Sequence, residues 1–299
     1  MLRLLLAVVL LAGSACANAE SLDILLTNDD GYDAPGLRVL RAALVADGHA
    51  VSVVAPARNR SGASVSISTE GTLTWREVEP GVVAVEGTPA DCVRLALTML
   101  RDSPPDLLVS GINFGQNVGS GTLSSGTVGA ALTGASLGVP AIAVSQTVDA
   151  NDILGTERYF PAAAAVTVAL VRALRAQPPG PLLPRGMTLN LNHPARAAAD
   201  VRGVKLTRQG RSTLYTLVYK REGAAAVSLA FAPNAVAETV PDADTTALAE
   251  GYVSLTPLDG SWTADGAFEN FRSLVKTLDA LANSSASPAA RQAAPSRGE

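Results

Sequence analysis

Residues 23–48, DILLTNDDGYDAPGLRVLRAALVADG, decide the class of fold. Asp23 to Leu26 is a short apolar run, and TNDDGYDAPG after it is turn chemistry. Leu37, Leu40 and Leu44 then recur at helical spacing, and Gly48 closes that helix. The same alternation continues down the chain. Val51 to Ala55 is a second strand ending at Pro56, and Val82 to Val85 another. Pro89 to Arg101 is a helix with Pro at its start. Leu107 to Val109 is a buried strand, Val128 to Leu137 a helix of small residues, and Ala141 to Ser145 a strand. Apolar strands separated by helices of about ten residues indicate a parallel sheet covered on both faces. Such sheets bind ligands beyond the carboxyl ends of their strands, so the loops after the strands are where chemistry is expected.

The second half reads differently. A helix near Arg158 to Arg175 is followed by a Pro-rich connection, Gln177 to Arg185. Met187 to Asn192, Val204 to Arg208, Leu214 to Tyr219 and Ala225 to Phe231 read as strands in hairpins, with turn signals at Gly210 and Gly223. A last strand, Tyr252 to Thr256, precedes a helix from about Phe268 to Ala280. The expected architecture is an α/β core with a parallel sheet, extended by β structure.

Both ends stand apart from this pattern. Residues 1–19 carry a cationic Arg3, an apolar stretch from Leu4 to Ala12 and a small-x-small site at Ala17–Ala19, the form of a secretory signal cleaved after Ala19. A lipoprotein signal with the lipid on Cys16 is the competing form, although Gly13 stands where such signals usually carry Leu. Either form predicts export, and a periplasmic location. Residues 282–299 are rich in Ala, Ser and Pro without periodicity and read as a disordered tail, leaving residues 21–281 as the folding unit.

Composition narrows the chemistry. The 299 residues are 47% hydrophobic and 17% charged with a net charge of −4, which excludes a disordered chain and gives no pull toward nucleic acid. No apolar run is long enough to span a membrane. Two Cys and two His would all be needed for one ordinary zinc site, and cleavage after Ala19 leaves only Cys92. Oxygen ligands are therefore the expected means of any metal chemistry, and Cys92 reads as a small core residue. His49 and His193 read as structural.

Four loops carry the candidate residues. Asn28-Asp29-Asp30-Gly31 sets two carboxylates side by side, and a divalent cation relieves their repulsion; an Asx turn or a helix cap is the bland reading. ARNRSGAS, residues 57–64, offers Arg58, Arg60 and hydroxyls that suit phosphate oxygens, or a solvated basic loop. SGINFGQNVG, residues 110–119, offers the amide oxygens of Asn113 and Asn117 among glycines that permit close ligand approach. SSGT, residues 124–127, precedes a helix, where hydroxyls and free N–H groups form an anion site or merely a cap. Converging on one crevice, the four imply Mg²⁺- or Mn²⁺-assisted hydrolysis of a phosphate ester.

In order along the chain, ILLTNDDGYDAPGL, VVAPARNRSGAS, GTPADCVRLAL, PDLLVSGINFGQNVG, SSGTVGAALTGASLGVPAIAVS and ALAEGYVSLTPL span roughly Leu22 to Leu258. This set closely resembles the SurE family of metal-dependent 5′/3′-nucleotidases, the stationary-phase survival proteins. The resemblance implies a Rossmann-like three-layer core, a β-hairpin extension and a swapped C-terminal element, assembled as a homodimer or homotetramer. It implies one divalent cation per subunit, held by Asp29, Asp30, Ser61 and Asn113. Asn117 would contact the phosphate, with Ser125, Gly126 and Thr127 around it, and Asp29 or Asp30 would orient or deprotonate the attacking water. Nucleoside monophosphates are the implied substrates. An exported acid phosphatase of broad specificity, or a non-catalytic nucleotide-binding module, would share the same residues.

Three departures from the family pattern stand out. Ser124 replaces a common aromatic residue before SGT, Asp33 replaces a common His, and the export signal contrasts with members that are usually cytoplasmic. None touches the implied metal ligands.

Overall fold

The computed structural model describes residues 21–263 and 265–285, in two units divided after Asp259. The expected export signal lies outside the described residues, as do residues 286–299 of the expected tail.

The first unit is built on a nine-stranded sheet in the order β3-β4-β2-β1-β5-β6-β7-β11-β8. Inside it, β1 (Asp23–Thr27) is flanked in parallel by β2 (Ala50–Pro56) and β5 (Leu107–Phe114). Beyond β2 lie β4 (Val82–Val85), also parallel, and an antiparallel edge strand β3 (Trp75–Glu79). Beyond β5 lie β6 (Ala141–Gln146) and β7 (Thr188–His193), both parallel. The chain therefore moves outward one way from β1, then returns and moves outward the other way from β5. The crevice between the carboxyl ends of β1 and β5 is the topological switch point, the place where open α/β sheets bind ligands.

Helices cover both faces because the central strands are apolar on both sides. Ile24 and Leu26 face a cluster with Leu37, Leu40 and Leu44 of α1 (Pro35–Ala46) and Phe160 and Val171 of α4 (Phe160–Arg175). Leu25 faces the other cluster, with Cys92 and Val93 of α2 (Pro89–Leu95) and Val128 and Ala131 of α3 (Gly126–Ser136). Alternation along a strand makes this division inevitable, and each such buried leucine contributes about 1.5–3 kcal/mol. The Pro89 helix is shorter than its sequence pattern, giving way to a π turn over Ala96–Leu100. Cys92 is fully buried and burial pushes its thiol pKa up, in keeping with a core role.

The second half corrects the hairpin reading. Of the four segments read as hairpin strands, only β9 (Tyr215–Arg221) and β10 (Val227–Pro233) pair with each other as a hairpin. β7 is buried along its whole length and joins β6 in the main sheet. The short β8 (Val204–Leu206) pairs in parallel with β11 (Val253–Leu258), which itself runs antiparallel to β7. A short helix, α5 (Asp244–Ala249), precedes β11. The second unit comprises a 3₁₀ turn over Asp265–Phe271 and α6 (Arg272–Ser285), a helix that continues past the expected boundary at Leu281. Among the described residues, no helix is long and apolar enough to cross a membrane.

Candidate active site

The site begins with the turn that follows β1. Asn28 is fully buried and ties the turn together: its Nδ2 donates to Gly31 O at 2.9 Å and its Oδ1 accepts from Gly31 N at 3.2 Å. This is the Asx turn of the bland reading, and its consequence is to project Asp29 and Asp30 into the crevice. Asp29 is 3% exposed. Thr127 Oγ1 donates to its Oδ1 at 2.7 Å. Asp30 accepts from the Phe114 N–H at 3.0 Å, so a β1 loop and the end of β5 are joined through a carboxylate.

The electrostatics of this pair are unusual for a protein interior. Burial pushes the Asp29 pKa up, opposed by the Thr127 hydroxyl and the backbone amides of Gly126 and Thr127. Asp30 is pushed up to about 6, first by burial and then by the charge of Asp29. Among the described residues, neither carboxylate has a Lys, Arg or His ion-pair partner. Two partly desolvated anions without a counter-charge are costly, and a small cation removes that cost.

The other expected ligands lie on segments tied to the same turn. Arg60 N donates to Asp29 O at 2.6 Å, which brings the following residue, the exposed Ser61, beside the acidic turn. Asn113 precedes Phe114 and is 8% exposed. Its Nδ2 donates to Gly115 O at 2.7 Å, leaving Oδ1 as the uncommitted oxygen. Two carboxylates, an amide oxygen and a hydroxyl form an all-oxygen donor set that fits a hard divalent cation such as Mg²⁺ or Mn²⁺. Among the described residues, no group of three His, Cys, Asp or Glu side chains offers an alternative metal site. Arg58 lies 3.9 Å from Glu86 on the surface and is not directed to the acidic pair.

Ser125, Gly126 and Thr127 form the start of α3, directly against Asp29. The Ser125 hydroxyl accepts from Val128 N at 3.0 Å, a helix cap as in the bland reading. Gly126 has no room for a side chain: a Cβ there would meet Asp29 Cβ and Oδ2 at 2.8 Å. This element therefore holds Asp29 and also sets a helix N-terminus at the site, where its dipole favours anions.

Asn117 is fixed more firmly than its sequence context suggests. Its N–H donates to Asn192 Oδ1 at 2.7 Å and its Nδ2 to Ser145 Oγ at 2.8 Å. Its carbonyl accepts from Asn190 at 2.8 Å and from Asn192 at 3.1 Å. The sequence reading does not include these three supporting residues; polar residues at alternate positions of the fully buried strand TLNLNH are the signal that marks Asn190 and Asn192, whereas Ser145 lies on β6. A second support is Asp244 at the start of α5, fully buried. It accepts from Gly119 N at 3.1 Å, Gly210 N at 2.9 Å and Thr245 N at 2.8 Å. Gly119 has φ of +55°, and a Cβ there would meet Ser212 O at 1.9 Å. Asp244 thus pins the turn that carries the chain from Asn117 to Ser125.

Neither histidine touches the acidic pair. His49 Nδ1 accepts from Leu22 N at 3.2 Å and its Nε2 lies 3.2 Å from Asp47, a local brace at the opposite end of β1. His193 is buried, its Nδ1 2.8 Å from Pro194 O.

The chain is similar to known proteins of one family. The family described as Survival protein SurE matches residues 24–216. The 5′/3′-nucleotidase SurE of Salmonella typhimurium is 43% identical over 251 residues, covering 82% of this chain and 93% of that protein. The 5′/3′-nucleotidase SurE of Citrobacter koseri is 41% identical over the same shares. The crystal structure of the SurE protein from Aquifex aeolicus superposes with a TM-score of 0.70 at 34% identity, covering 84% of this chain and 98% of that one.

Proposed function

Because the chain belongs to the SurE family, we propose that it is a phosphoric monoester hydrolase that releases phosphate from nucleoside monophosphates with the help of one divalent cation per subunit. The observation that carries the reading is the acidic pair at the switch point of the sheet, Asp29 buried and Asp30 half-buried, without a cationic partner among the described residues. The family relatives named 5′/3′-nucleotidase SurE supply the substrate class.

In this reading Asp29, Asp30, Ser61 and Asn113 hold the cation, which, when bound, supplies the positive charge that phosphoryl transfer requires. The remaining steps belong to the protein. Asn117, held by Asn190, Asn192 and Ser145, keeps one Nδ2 hydrogen for a phosphate oxygen. The start of α3 at Ser125, Gly126 and Thr127 sets its helix N-terminus at the same place, where the dipole favours the anion while the Gly126 and Thr127 amides hold Asp29. Asp29 or Asp30 orients the attacking water and accepts its proton. Purified protein is expected to release phosphate from nucleoside monophosphates with Mg²⁺ or Mn²⁺, to lose activity on chelation, and to regain it on adding metal. Activity unaffected by a chelator would sink the metal role, and nucleotide binding without phosphate release would leave a binding module. Faster turnover of simple aryl or sugar phosphates would favour the exported general phosphatase.

The protein acts, on this proposal, after export and as a homodimer or homotetramer. The signal-like residues 1–19 support export. The hairpin supports assembly, since Tyr219, Leu229 and Phe231 are 67%, 63% and 75% exposed on it, an apolar surface that a second copy of the chain would cover. Full-length protein is expected in the periplasmic fraction, at two or four times the mass of the mature chain by light scattering. Cytoplasmic retention would refute export, and a monomeric mass would refute assembly.

A further inference from the structure

Ser64 lies in the loop that carries the proposed ligand Ser61, and its φ of +54° is a backbone conformation that side chains rarely adopt. Among the described residues it shares a positive φ with only one other non-glycine residue, Asp242. Glycine would take up the same conformation without strain. What the serine adds is a hydroxyl, and that hydroxyl is engaged.

Ser64 Oγ donates to Leu123 O at 2.7 Å, and Ser64 N donates to Ser124 O at 3.2 Å. Leu123 and Ser124 end the 3₁₀ turn over Gly119–Ser124, and Ser125, next in the chain, caps α3. Ser64 thus holds the seam where the turn from Asn117 becomes the helix start beside Asp29. The helix itself also lies against Ser64. A Cβ on Gly129 of α3 would meet Ser64 O at 2.1 Å and Val65 N at 2.9 Å, so only glycine allows an approach this close.

The loop is tied at both ends as well. At its start Arg60 N donates to Asp29 O at 2.6 Å. At its end Ser68 N and Ser68 Oγ each donate to the Asp91 carboxylate at 2.8 Å, and Asp91 also takes the Thr88 N–H at 2.9 Å in the cap of α2. Between these anchors, Ser64 is the point that joins the two halves of the site. Ser61, proposed for the cation, stands three residues before it, and its partner Ser124 adjoins Ser125 at the anion end. The hydroxyl bond lies at the surface, where water competes for both partners and a single bond adds little to global stability. What the bond fixes is a distance between two groups that must act on one substrate.

We propose that Ser64 is a positioning residue that sets the separation between the cation end of the site at Ser61 and the phosphate end at the start of α3. The proposal rests on the nucleotidase reading and adds the residue that couples its two ends. Calorimetry with Mn²⁺ alone, inorganic phosphate alone and phosphate in the presence of Mn²⁺ tests it, beside steady-state kinetics with nucleoside monophosphates, on wild type, Ser64→Gly and Gly129→Ala. Wild type is expected to bind phosphate about tenfold or more tightly with Mn²⁺ than without it, within the range of coupled sites. Ser64→Gly keeps the backbone conformation and loses the hydroxyl. It is expected to melt close to wild type and to bind Mn²⁺ alone as wild type does. Most of the coupling is expected to disappear, with kcat lower by about tenfold to a hundredfold, the scale of a displaced catalytic group. Gly129→Ala keeps the hydroxyl but forces Ser64 away from α3, and is expected to lose the coupling in the same way. A residue that served only the fold would leave the coupling of the well-folded Ser64→Gly protein intact. Wild-type coupling and kcat in either variant, or a loss matched by equal weakening of Mn²⁺ alone, would overturn the assignment. Wild-type protein that releases no phosphate from nucleoside monophosphates and binds phosphate equally with and without Mn²⁺ would instead defeat the nucleotidase reading, and the coupling role with it.

Discussion

The Asp29→Asn variant is expected to lose at least about 10³-fold in phosphate release while folding as well as wild type. The substitution removes one of two anionic oxygen donors but keeps the shape of the side chain and an oxygen for the Thr127 hydroxyl, which now donates to Asp29 at 2.7 Å. Stability provides the control that separates a lost site from a lost fold. The folded-state pKa of Asp30 is raised from 3.8 to about 6, partly by the charge of Asp29. A carboxyl whose folded pKa lies above its unfolded value binds more protons when folded, so metal-free wild type loses stability as pH rises from about 4 through about 6. Removing the Asp29 charge relieves part of that loss. Chelated Asp29→Asn protein is therefore expected to melt at or above the wild-type temperature at pH 7, and added metal should raise wild type more than the variant. Wild-type-like turnover in the variant would remove Asp29 from the site; a lower melting temperature in chelator would show that its role is structural.

The second large effect is expected from Gly126→Ala, which leaves every proposed donor atom in place. Helix propensity alone favours Ala over Gly by about 1 kcal/mol. Against that, the new Cβ would sit 2.8 Å from both Asp29 Cβ and Oδ2, closer than real Cβ atoms come to their neighbours. Asp29 is 3% exposed and held by Thr127, so it has no free space into which to retreat. Either α3 shifts outward or the carboxylate turns, and a displacement of about 1 Å in a catalytic group costs on the order of a hundredfold in rate. Phosphate release is expected to fall about 10²-fold, chiefly in kcat, with a lower apparent affinity for the metal and a reduced melting temperature. A variant more stable than wild type and fully active would mean that the start of α3 does not press on Asp29.

Local signals made the core readable. β1, β2 and β5 are short apolar runs because both of their faces are covered, and α1 follows β1 with Leu37, Leu40 and Leu44 on one buried side. The edge strand β3 escaped notice because Trp75–Glu79 is largely exposed and charged, with only one side paired. β7 and β8 read as hairpin strands in the sequence, yet both lie in the main sheet, for a different reason. Strand propensity fixes that a segment is extended, whereas its partner is chosen by burial: β7 found the buried flank of β6, and β11 then covered β7.

The candidate site divides along the same line. By itself the chain specified the chemistry: an adjacent acidic pair, amide oxygens in a glycine-rich loop and a hydroxyl-rich helix start, all after strands and with almost no His or Cys to compete. Those are local properties of residue type and spacing. Only the tertiary structure decided what each group leans on. Asp30 meets the amide of Phe114 and Thr127 meets Asp29, while Asn190 and Asn192 of one strand grip Asn117 of a distant loop. The buried Asp244 anchors the connecting turn from still further along the chain. The physical reason is that a donor's identity is written in one side chain, whereas its position depends on hydrogen bonds and packing between segments that burial brings together only when the sheet closes.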